Sequence, residues 1–447
     1  MKQRVVYFTM ILAAVTSVSA QEARKWTLND CIDYALEKNI QLQQDKISLE
    51  ESVVDVKTAK AALFPSLSFN TGQNVTNRPY QESSSMVSGT EVIRSDSKTT
   101  YNGNYGLNAQ WTLWNGNKRL NTIKQRKTTQ QMAELTVAET ENSLQEQIAQ
   151  LFVQILYADE SVKINRNTLQ ASQATYDRGK ALFEEGSISK ADLAQLESQV
   201  GGDQYQLVVA ENSLRDYKLQ LKQLLELDGA EEMDLILPEM ADEYVMQPLP
   251  DREEVYQQAL VLRPEIQSGK LGIENSKLEI SVAKAGYLPT VSLTASTGSM
   301  TNSASDNSWS QQMKFGWNNM IGLNVSIPIF DNRQTKSAVQ KARLQYDSSM
   351  LELINRQKEL YKNIESLWMN AMNAQQQYAA AESKLKSSQA SYEMVSEQFS
   401  LGMKNTVELL TEKNNMLSAS QQRIQAKYMA ILDRTLLDFY AGRDMKL

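Results

Sequence analysis

The chain has no histidine, a single cysteine and only eight prolines among its 447 residues. Without histidine, the usual imidazole general base and the commonest metal ligand are missing. The lone cysteine, Cys31, excludes a disulfide within the chain. The sequence also contains no Gly-rich phosphate loop and no nucleophile elbow. We therefore predict no catalytic residues, no metal site and no cofactor.

Long hydrophobic runs are absent beyond the first twenty residues. No later stretch reaches the roughly eighteen apolar residues that a spanning helix needs, so a route across a membrane would have to use β-strands. The formal net charge is −7, and no long Lys/Arg cluster stands out. Nucleic acid is therefore not an expected partner.

Residues 1–20 have the layout of a cleavable signal peptide. A basic start and an apolar stretch precede the small residues Val18-Ser19-Ala20, and the mature chain is expected to begin near Gln21. Cys31 lies well beyond this point, so we do not expect it to carry a lipid anchor. The sequence thus predicts an exported protein.

The chain contains two copies of one pattern, at a shift of 224 residues that changes to 216 further along. The matches pair Ala35-Leu36 with Ala259-Leu260, Phe64-Pro65-Ser66 with Leu288-Pro289-Thr290, Gly106-Leu107-Asn108 with Gly322-Leu323-Asn324, and Gly186 with Gly402. We predict a first repeat over 21–227, a linker over 228–251, a second repeat over 252–441 and a tail over 442–447. The change of shift makes a loop between about 70 and 104 eight residues longer than its partner between about 294 and 320.

Two tracts without proline, 80–237 and 329–447, can form long helices. Within them, apolar residues recur every seven positions, which is typical of a coiled-coil seam. The seam residues are Ile148, Ile155, Val162, Leu169 and Tyr176 in the first copy, and Ile364, Ala371, Tyr378, Leu385 and Tyr392 in the second. The predicted helices are 27–62, 117–182 and 188–227, then 252–286, 333–398 and 404–441.

Four segments alternate apolar and polar residues with period two, which predicts strands at about 64–76, 103–114, 288–299 and 315–330. The chain offers no other β material to cover their apolar face. In an outer-membrane barrel that face meets lipid, while the Gly/Ser/Thr/Asn face lines a wet lumen. The residues predicted on the lipid face or in an aromatic belt are Tyr105, Leu107, Trp111, Trp114, Trp317, Leu323 and Val325.

Four strands cannot close a barrel alone. Since the smallest such barrels have about eight strands, at least two chains are required, and three chains would supply about twelve. The strand count does not choose between a dimer and a trimer.

Several short motifs fit this plan. They are Trp26-Thr27-Leu28 with Ala35-Leu36, the segment Trp111 to Gly116 with its echo Ile327 to Asn332, the turns Phe183-x-x-Gly186 and Phe399-x-x-Gly402, and Val407-Glu408-Leu409-Leu410. In these motifs and in its repeat, the chain resembles the TolC-like outer-membrane efflux protein family. The resemblance implies a mainly α fold with a β-barrel part, in which long antiparallel coiled-coil helices form a periplasmic α-barrel. The four strands would belong to a trimeric twelve-stranded barrel in the outer membrane of a Gram-negative bacterium.

The resemblance also implies partners and site residues. The partners are two further copies of the chain, outer-membrane lipid, a periplasmic adaptor (membrane fusion) protein, and an inner-membrane efflux pump or ABC exporter. The implied adaptor-docking residues are Phe183, Gly186, Ser187, Phe399, Gly402 and Met403. The implied gate residues are Asp192, Lys404, Glu408 and Thr411.

Within that gate, Glu408 would belong to an acidic ring that narrows the periplasmic aperture. Lys404 would tie neighbouring helix pairs through Asp192, and Thr411 stands where family members can have a second acid. Simpler roles are also expected at these positions. Gly186 and Gly402 suit ordinary helix C-caps, and an acid near a helix start offsets the helix dipole.

Other interpretations stay open at this point. The eighteen methionines are scattered, so they favour core filling over copper export. A local kink is expected at Gly201-Gly202. The function that the resemblance implies is a passive outer-membrane exit duct of a tripartite efflux or type I secretion system, gated at its periplasmic helical tips. The main rival function is a periplasmic or surface coiled-coil scaffold that binds partners without conducting. The sequence reveals neither the cargo nor the pump.

Overall fold

The computed structural model describes residues 25–80, 84–88, 91–95, 98–227, 233–238 and 242–445. The predicted signal peptide lies outside the described residues, as do parts of the predicted linker and the last two residues of the tail. The helices are α1 Leu28–Lys38, α2 Ile40–Ala61, α3 Lys118–Glu184, α4 Lys190–Leu224, α5 Arg252–Leu262, α6 Pro264–Lys284, α7 Trp309–Phe315, α8 Gln334–Ser400 and α9 Thr406–Tyr440. The strands are β1 Lys25–Trp26, β2 Ser66–Asn77, β3 Ser84–Ser88, β4 Glu91–Ser95, β5 Thr99–Trp114, β6 Asp234–Leu235, β7 Thr290–Asn302 and β8 Asn318–Ser326.

The two longest helices occupy matching places in the two copies. Both α3 and α8 have 67 residues, and α4 and α9 each have 35. Each long helix starts after a sharp turn from the preceding strand or its extension, with φ of 65° at Gly116, 63° at Asn117, 52° at Asn332 and 68° at Arg333. Left-handed backbone at such points stops the strand direction and lets a helix begin at a new angle.

Contacts divide the chain into two compact units. The first unit contains Met1–Lys46, Thr136–Gln267 and Arg356–Leu447. Its core includes the fully buried Cys31 of α1, Phe152 of α3, Leu225 after α4 and Ile424 of α9. Most of the predicted heptad seam is buried here, as Ile148, Ile155, Val162, Ile364, Ala371 and Tyr378 are. Strand β1 pairs in parallel with β6.

The second unit contains Ile47–Leu135 and Ser268–Asn355. Its antiparallel sheet has the order β2-β5-β7-β8, so β2 and β8 are the outer strands. Residues opposite each other in an antiparallel pair share a face. The register aligns Leu67 with Ala109, Trp111 with Leu293, and Leu293 with Leu323, which gathers the apolar side chains on one face.

One irregularity decides the position of a predicted belt residue. Strict alternation from Trp111 would put Trp114 on the polar face beside Thr112. The register between β5 and β7 shifts between Thr112 and Trp114, so that Trp114 lies opposite Val291. A β-bulge of this kind turns the side chains that follow it. Trp114 therefore shares the apolar face with Trp111.

The structure differs from the sequence analysis at several boundaries. The single helix expected over 252–286 is two helices, because Arg263 leaves the helical conformation with φ −70° and ψ 127° before Pro264. The single helix expected over 27–62 is also two helices, because Asn39 leaves the helical conformation with φ −58° and ψ 128°. Its side chain then accepts a hydrogen bond from the Leu42 amide at 3.1 Å and so caps α2. The strand expected over 315–330 ends at Ser326, two residues before Pro328, which has no N–H for a ladder.

Several further elements were not predicted. Strands β3 and β4 pair as a hairpin within the longer loop, α7 lies in the shorter one, and the short strands β1 and β6 pair with each other. At the expected kink, α4 runs on through Gly201 and Gly202. Among the described residues, no helix has both the length and the apolar character required to cross a membrane.

Candidate functional site: the helical tips and the apolar face of the sheet

Two tight turns, one in each copy, connect the long helices to the helices that follow them. Gly186 has φ +76° and Gly402 has φ +74°. The amide of Ser187 donates to the carbonyl five residues earlier at 2.8 Å, and that of Met403 does the same at 2.9 Å. Both ends are therefore Schellman caps, in which a left-handed glycine satisfies the last carbonyls of the helix.

The next helix at each tip starts with a capping box. Ser189 and Asp192 exchange hydrogen bonds of 3.1 Å between the side chain of one and the amide of the other. Asn405 and Glu408 do the same at 3.2 and 2.9 Å. The acids predicted at the gate thus each satisfy the start of a helix, which is the simpler of the two roles considered for them.

Within one chain, Lys404 pairs with Glu408. Lys404 stands immediately before Asn405, the N-cap of α9, and its ammonium lies 2.5 Å from the carboxylate of Glu408 in the first turn of that helix, whereas Asp192 bonds Ser189. The predicted link from Lys404 to Asp192 between neighbouring helix pairs stays a prediction. Thr411 is exposed and returns its hydroxyl to the Val407 carbonyl at 2.8 Å.

The charges of the two acids are stabilised locally. The hydroxyl and then the amide of Ser189 hold the pKa of the Asp192 carboxyl below its usual range. Lys404 and then the Asn405 amide lower the pKa of Glu408 in the same way. Both groups therefore stay ionised at neutral pH, and Glu408 carries its negative charge beside a positive one.

The predicted docking residues divide into exposed and buried ones. Phe183 is 38% exposed, but Phe399 is only 4% exposed because it packs with Leu196 and Leu409. Phe399 is therefore a core residue of the tip and offers little surface to another protein. The exposed apolar residues at the second tip are Leu401, Met403 and Val407. Of these, only Met403 was predicted as an adaptor-docking residue, and Val407 was noted as part of a motif.

Near the tips, a buried ion pair and its hydrogen-bond partners connect the helices α3, α4 and α9. The Lys413 ammonium of α9 contacts both the Asp203 carboxylate of α4 and the Ser172 hydroxyl of α3. Gln199 donates to the second oxygen of Asp203 at 2.9 Å. Lys413 and Asp203 are each only 4% exposed. We call these four residues the buried node.

The sequence analysis missed the buried node, although the repeat contains a signal of it. At the shift of 216 residues, Lys413 falls on Glu197 and Asp203 falls on Ala419. The positions equivalent to Lys413 and Asp203 in the repeat therefore do not form a second ion pair. A charged residue whose equivalent in the other copy is alanine indicates a contact that only one of the copies makes.

The apolar face of the sheet carries most of the predicted lipid-facing residues. Leu107, Trp111 and Trp114 are about two fifths exposed, and Leu323 and Val325 more than half. The Trp111 ring nitrogen donates to the Leu63 carbonyl at 2.7 Å, at the end of the sheet that joins the helices. Trp317 precedes β8 and is also exposed. Tyr105 is half-buried, and its hydroxyl accepts a hydrogen bond from Gln73 at 2.8 Å.

The opposite face of the sheet is mostly polar. Its positions alternate with the apolar ones and include Ser68, Asn70, Asn108, Gln110, Thr294, Ser296, Gly322 and Asn324, with Met300 and Met320 as its exposed apolar side chains. Asn324 donates to Thr294 across the β7–β8 pair at 3.2 Å. An exposed sheet with one apolar and one hydrated face matches a lipid–water boundary better than a soluble core.

The family model described as outer membrane efflux protein matches residues 31–226 and 255–443. The chain belongs to this family. Membership confirms the resemblance drawn from the sequence. It also places this outer membrane efflux protein in the outer membrane of a Gram-negative bacterium, with its helical tunnel part in the periplasm. Solved structures that share this fold include proteins described as outer membrane channels, such as OprN.

Individual relatives are distant but extend over most of this efflux protein. Outer membrane efflux protein BepC of Brucella suis biovar 1 is 21% identical, with 97% of this chain and 89% of BepC covered. Alkaline protease secretion protein AprF of Pseudomonas aeruginosa is also 21% identical, and that match spans 66% of this chain and 60% of AprF. The crystal structure of the outer membrane protein VceC from Vibrio cholerae superposes with a TM-score of 0.78 at 14% identity, over 94% of this chain and 97% of VceC. These comparisons confirm the predicted mainly helical fold with a β part.

Proposed function

We propose that this protein is a homotrimeric exit duct that passes solutes from a periplasmic adaptor and an inner-membrane pump or ABC exporter to the outside of the cell. One observation carries the proposal. At each edge of its sheet, the second unit has an outer strand and, attached to that strand, a helix with exposed apolar residues.

The sheet ends in two outer strands, β2 and β8. Edge strands offer unpaired backbone groups that invite another strand. Pairing β8 of one copy with β2 of the next is a head-to-tail contact, and such contacts close into a ring when the rotation permits. Two copies would give an eight-stranded barrel, and side chains would fill its interior. Three copies would give twelve strands and leave room for a pore.

The helices attached to those strands repeat the pattern. Helix α2 leads into β2 and exposes Ile47 and Val54, both 57% exposed and seven residues apart. Helix α8 follows β8 and exposes Leu344 and Leu351, at 62% and 67% and again seven apart. A heptad of exposed apolar residues is half of a coiled-coil seam. We infer that α8 of one copy packs against α2 of the next.

The tips would form the gate of this duct. In a trimer, three copies of the Lys404–Glu408 pair would surround one aperture together with Asp192 and Thr411. An adaptor would dock on the exposed tip residues Phe183, Gly186, Ser187, Gly402 and Met403, to which the structure adds Leu401 and Val407. The duct itself would be passive, with energy supplied by the pump.

The test is the conductance of the purified protein in planar bilayers, together with heat-resistant trimers on a gel. Leu344→Asp places a charge in the inferred seam and should abolish the trimer, since burying an unpaired charge is strongly unfavourable. Gln345→Asp adds the same charge one residue away, on an exposed side chain with a different direction, and should leave the trimer intact.

Wild-type protein should give discrete channels, and Lys404→Ala should enlarge their conductance because it removes the counter-charge of Glu408. Folded trimers that insert into the bilayer but pass no ions would instead support the non-conducting scaffold. An unchanged conductance in Lys404→Ala would remove this residue from the gate while leaving the duct in place.

A further inference from the structure

We propose that α7, with the residues that follow it, is an interfacial anchor that binds the lipid of the outer leaflet at the rim of the duct. The inference rests on the proposed function, because it takes the apolar face of the sheet as lipid-facing. Its aromatic side chains are Trp309, Phe315 and Trp317, which we call the rim aromatics.

Helix α7 lies against the apolar-face side of the sheet. The Trp309 ring meets Tyr105 edge-on, with centroids 6.1 Å apart, and its nitrogen lies 3.4 Å from the Tyr105 hydroxyl. The Ser299 hydroxyl donates to the Gln312 carbonyl at 3.3 Å. Tyr105 and Ser299 are opposite each other in the register and share the face of Leu107. Both contacts therefore place α7 on the outward side.

A glycine fixes this close approach. A Cβ added to Gly316, directly after α7, would lie 2.8 Å from the Ser299 hydroxyl and 2.9 Å from the Gln312 carbonyl. At the start of α7, Ser308 and Gln311 form a capping box. The capping box satisfies the start of the short helix from within. Contact with the sheet comes from Trp309 near that start, which meets Tyr105, and from the close approach of Gly316 to Ser299 after its end.

The level of α7 on the sheet coincides with the end of the apolar band. Along β5 the outward positions are apolar from Trp114 back to Leu107, a length of about 24 Å, close to the ~25 Å apolar band of outer-membrane barrels. At the level of Leu107 the outward positions of β7 and β8 are already polar, at Thr297 and Asn319, and one step further β2 and β7 have Thr71 and Ser299 there. This end of the strands points away from the helices, which lie in the periplasm. Helix α7 therefore sits at the outer boundary of the membrane.

The surface that α7 presents there suits a lipid interface. Trp309, Phe315 and Trp317 are 59%, 70% and 58% exposed, and Lys314 is exposed among them. Indole rings favour the membrane boundary because one part is apolar and the N–H stays near water. A lysine ammonium beside them attracts anionic headgroups. Continuity with the apolar face below makes lipid, and not another protein, the occupant.

The experiment measures which tryptophans a lipid can quench. The intact trimer is reconstituted into phosphatidylcholine vesicles whose acyl chains are brominated near the headgroup, and fluorescence is compared before and after single substitutions. Trp309→Phe should lower the quenchable signal by about one of the six tryptophans in the chain. Trp368→Phe is the matched control, because Trp368 donates to the Pro250 carbonyl within the first unit, and it should leave the quenchable signal unchanged.

Trp111→Phe separates the inference from the proposed function. If Trp111 is quenched by lipid and Trp309 is not, the sheet lies in the membrane but α7 is no anchor, and the proposal is overturned. If neither is quenched in folded trimers, the lipid-facing assignment of the sheet fails as well. Heat-resistant trimers of each variant on a gel show that the substitution has not unfolded the protein.

Discussion

The buried node allows a sharp prediction about the stability of the tips. Lys413→Met removes the ammonium but keeps a side chain of similar length, and leaves the Asp203 carboxylate at 4% exposure with only Ser172 and Gln199 as partners. Breaking a buried ion pair by removing one partner costs about 3–5 kcal/mol, because the remaining charge is desolvated without compensation.

Replacing both charges should behave differently. Lys413→Met combined with Asp203→Leu leaves no buried charge, and such replacements by apolar groups are often neutral or stabilising by about 1–4 kcal/mol. We therefore expect the double variant to regain most of the stability lost in the single one. A coupling of this size between two residues is measurable only if they share one contact, as the node requires.

Hydrogen exchange of the tip amides is the assay, because it reports local opening. Since each 1.4 kcal/mol is roughly tenfold, Lys413→Met should speed exchange around 196–203 by about two to three orders of magnitude. Lys386→Met, at an exposed lysine of α8, is the control. It should change the free energy of local opening, calculated from the exchange rates, by less than about 0.5 kcal/mol. Exchange in Lys413→Met within a factor of two of wild type would refute the reasoning, and so would a double variant as unstable as the single.

Two further predictions concern backbone and charge. Gly402→Ala should destabilise the second tip by about 1–2 kcal/mol, because φ at this position is +74°. Gly201→Ala should stabilise α4 by up to ~1 kcal/mol, because the added Cβ points into open space. Proteolysis at the tips should therefore become faster in Gly402→Ala and slower in Gly201→Ala. Burial raises the pKa of Asp433 to about 6, so the folded state holds its proton more tightly than the unfolded state and stability falls as pH rises from about 4 to about 6. Asp433→Asn should remove this slope and raise stability at neutral pH by about 3 kcal/mol, with the gain vanishing towards pH ~4. Equal thermal midpoint differences at both pH values would contradict this expectation.

The large elements were predictable because their signals are long or repeated. The heptad seam around Ile148 and Ile155 extends over many turns, so the helix α3 follows from period alone. The alternation around Leu107 gives β5 in the same way. Because the motifs occur twice, each element can be predicted from either copy. The duplication predicts that Gly186 and Gly402 form equivalent turns, and both have a left-handed φ.

The misses have local causes that a pattern does not show. A single capping side chain at Asn39 divides one expected helix into two, and the bulge after Thr112 moves Trp114 to the other face from that given by alternation. At the tips, the pair of Lys404 with Glu408 depends on where α9 begins. Lys404 stands just before the N-cap Asn405, so that Glu408 in the first turn of the helix lies within its reach.

The contacts of the node and of α7 could not be derived from spacing, since they join segments far apart in the chain. Lys413 and Asp203 are separated by 210 residues, and Trp309 and Tyr105 by 204. Only packing brings them together.

The self-contained construction of the tips has a mechanical consequence. Capping boxes at Ser189 and Asn405 and glycine caps at Gly186 and Gly402 satisfy the exposed backbone groups of each turn from within that turn. Movement of a whole tip therefore need not break any of these backbone hydrogen bonds, and it is opposed by side-chain contacts such as those of Phe399 with Leu196 and Leu409. Under the proposed function, single substitutions at the tip surface would then change how readily a docking partner moves the tip, while the helical turns stay intact.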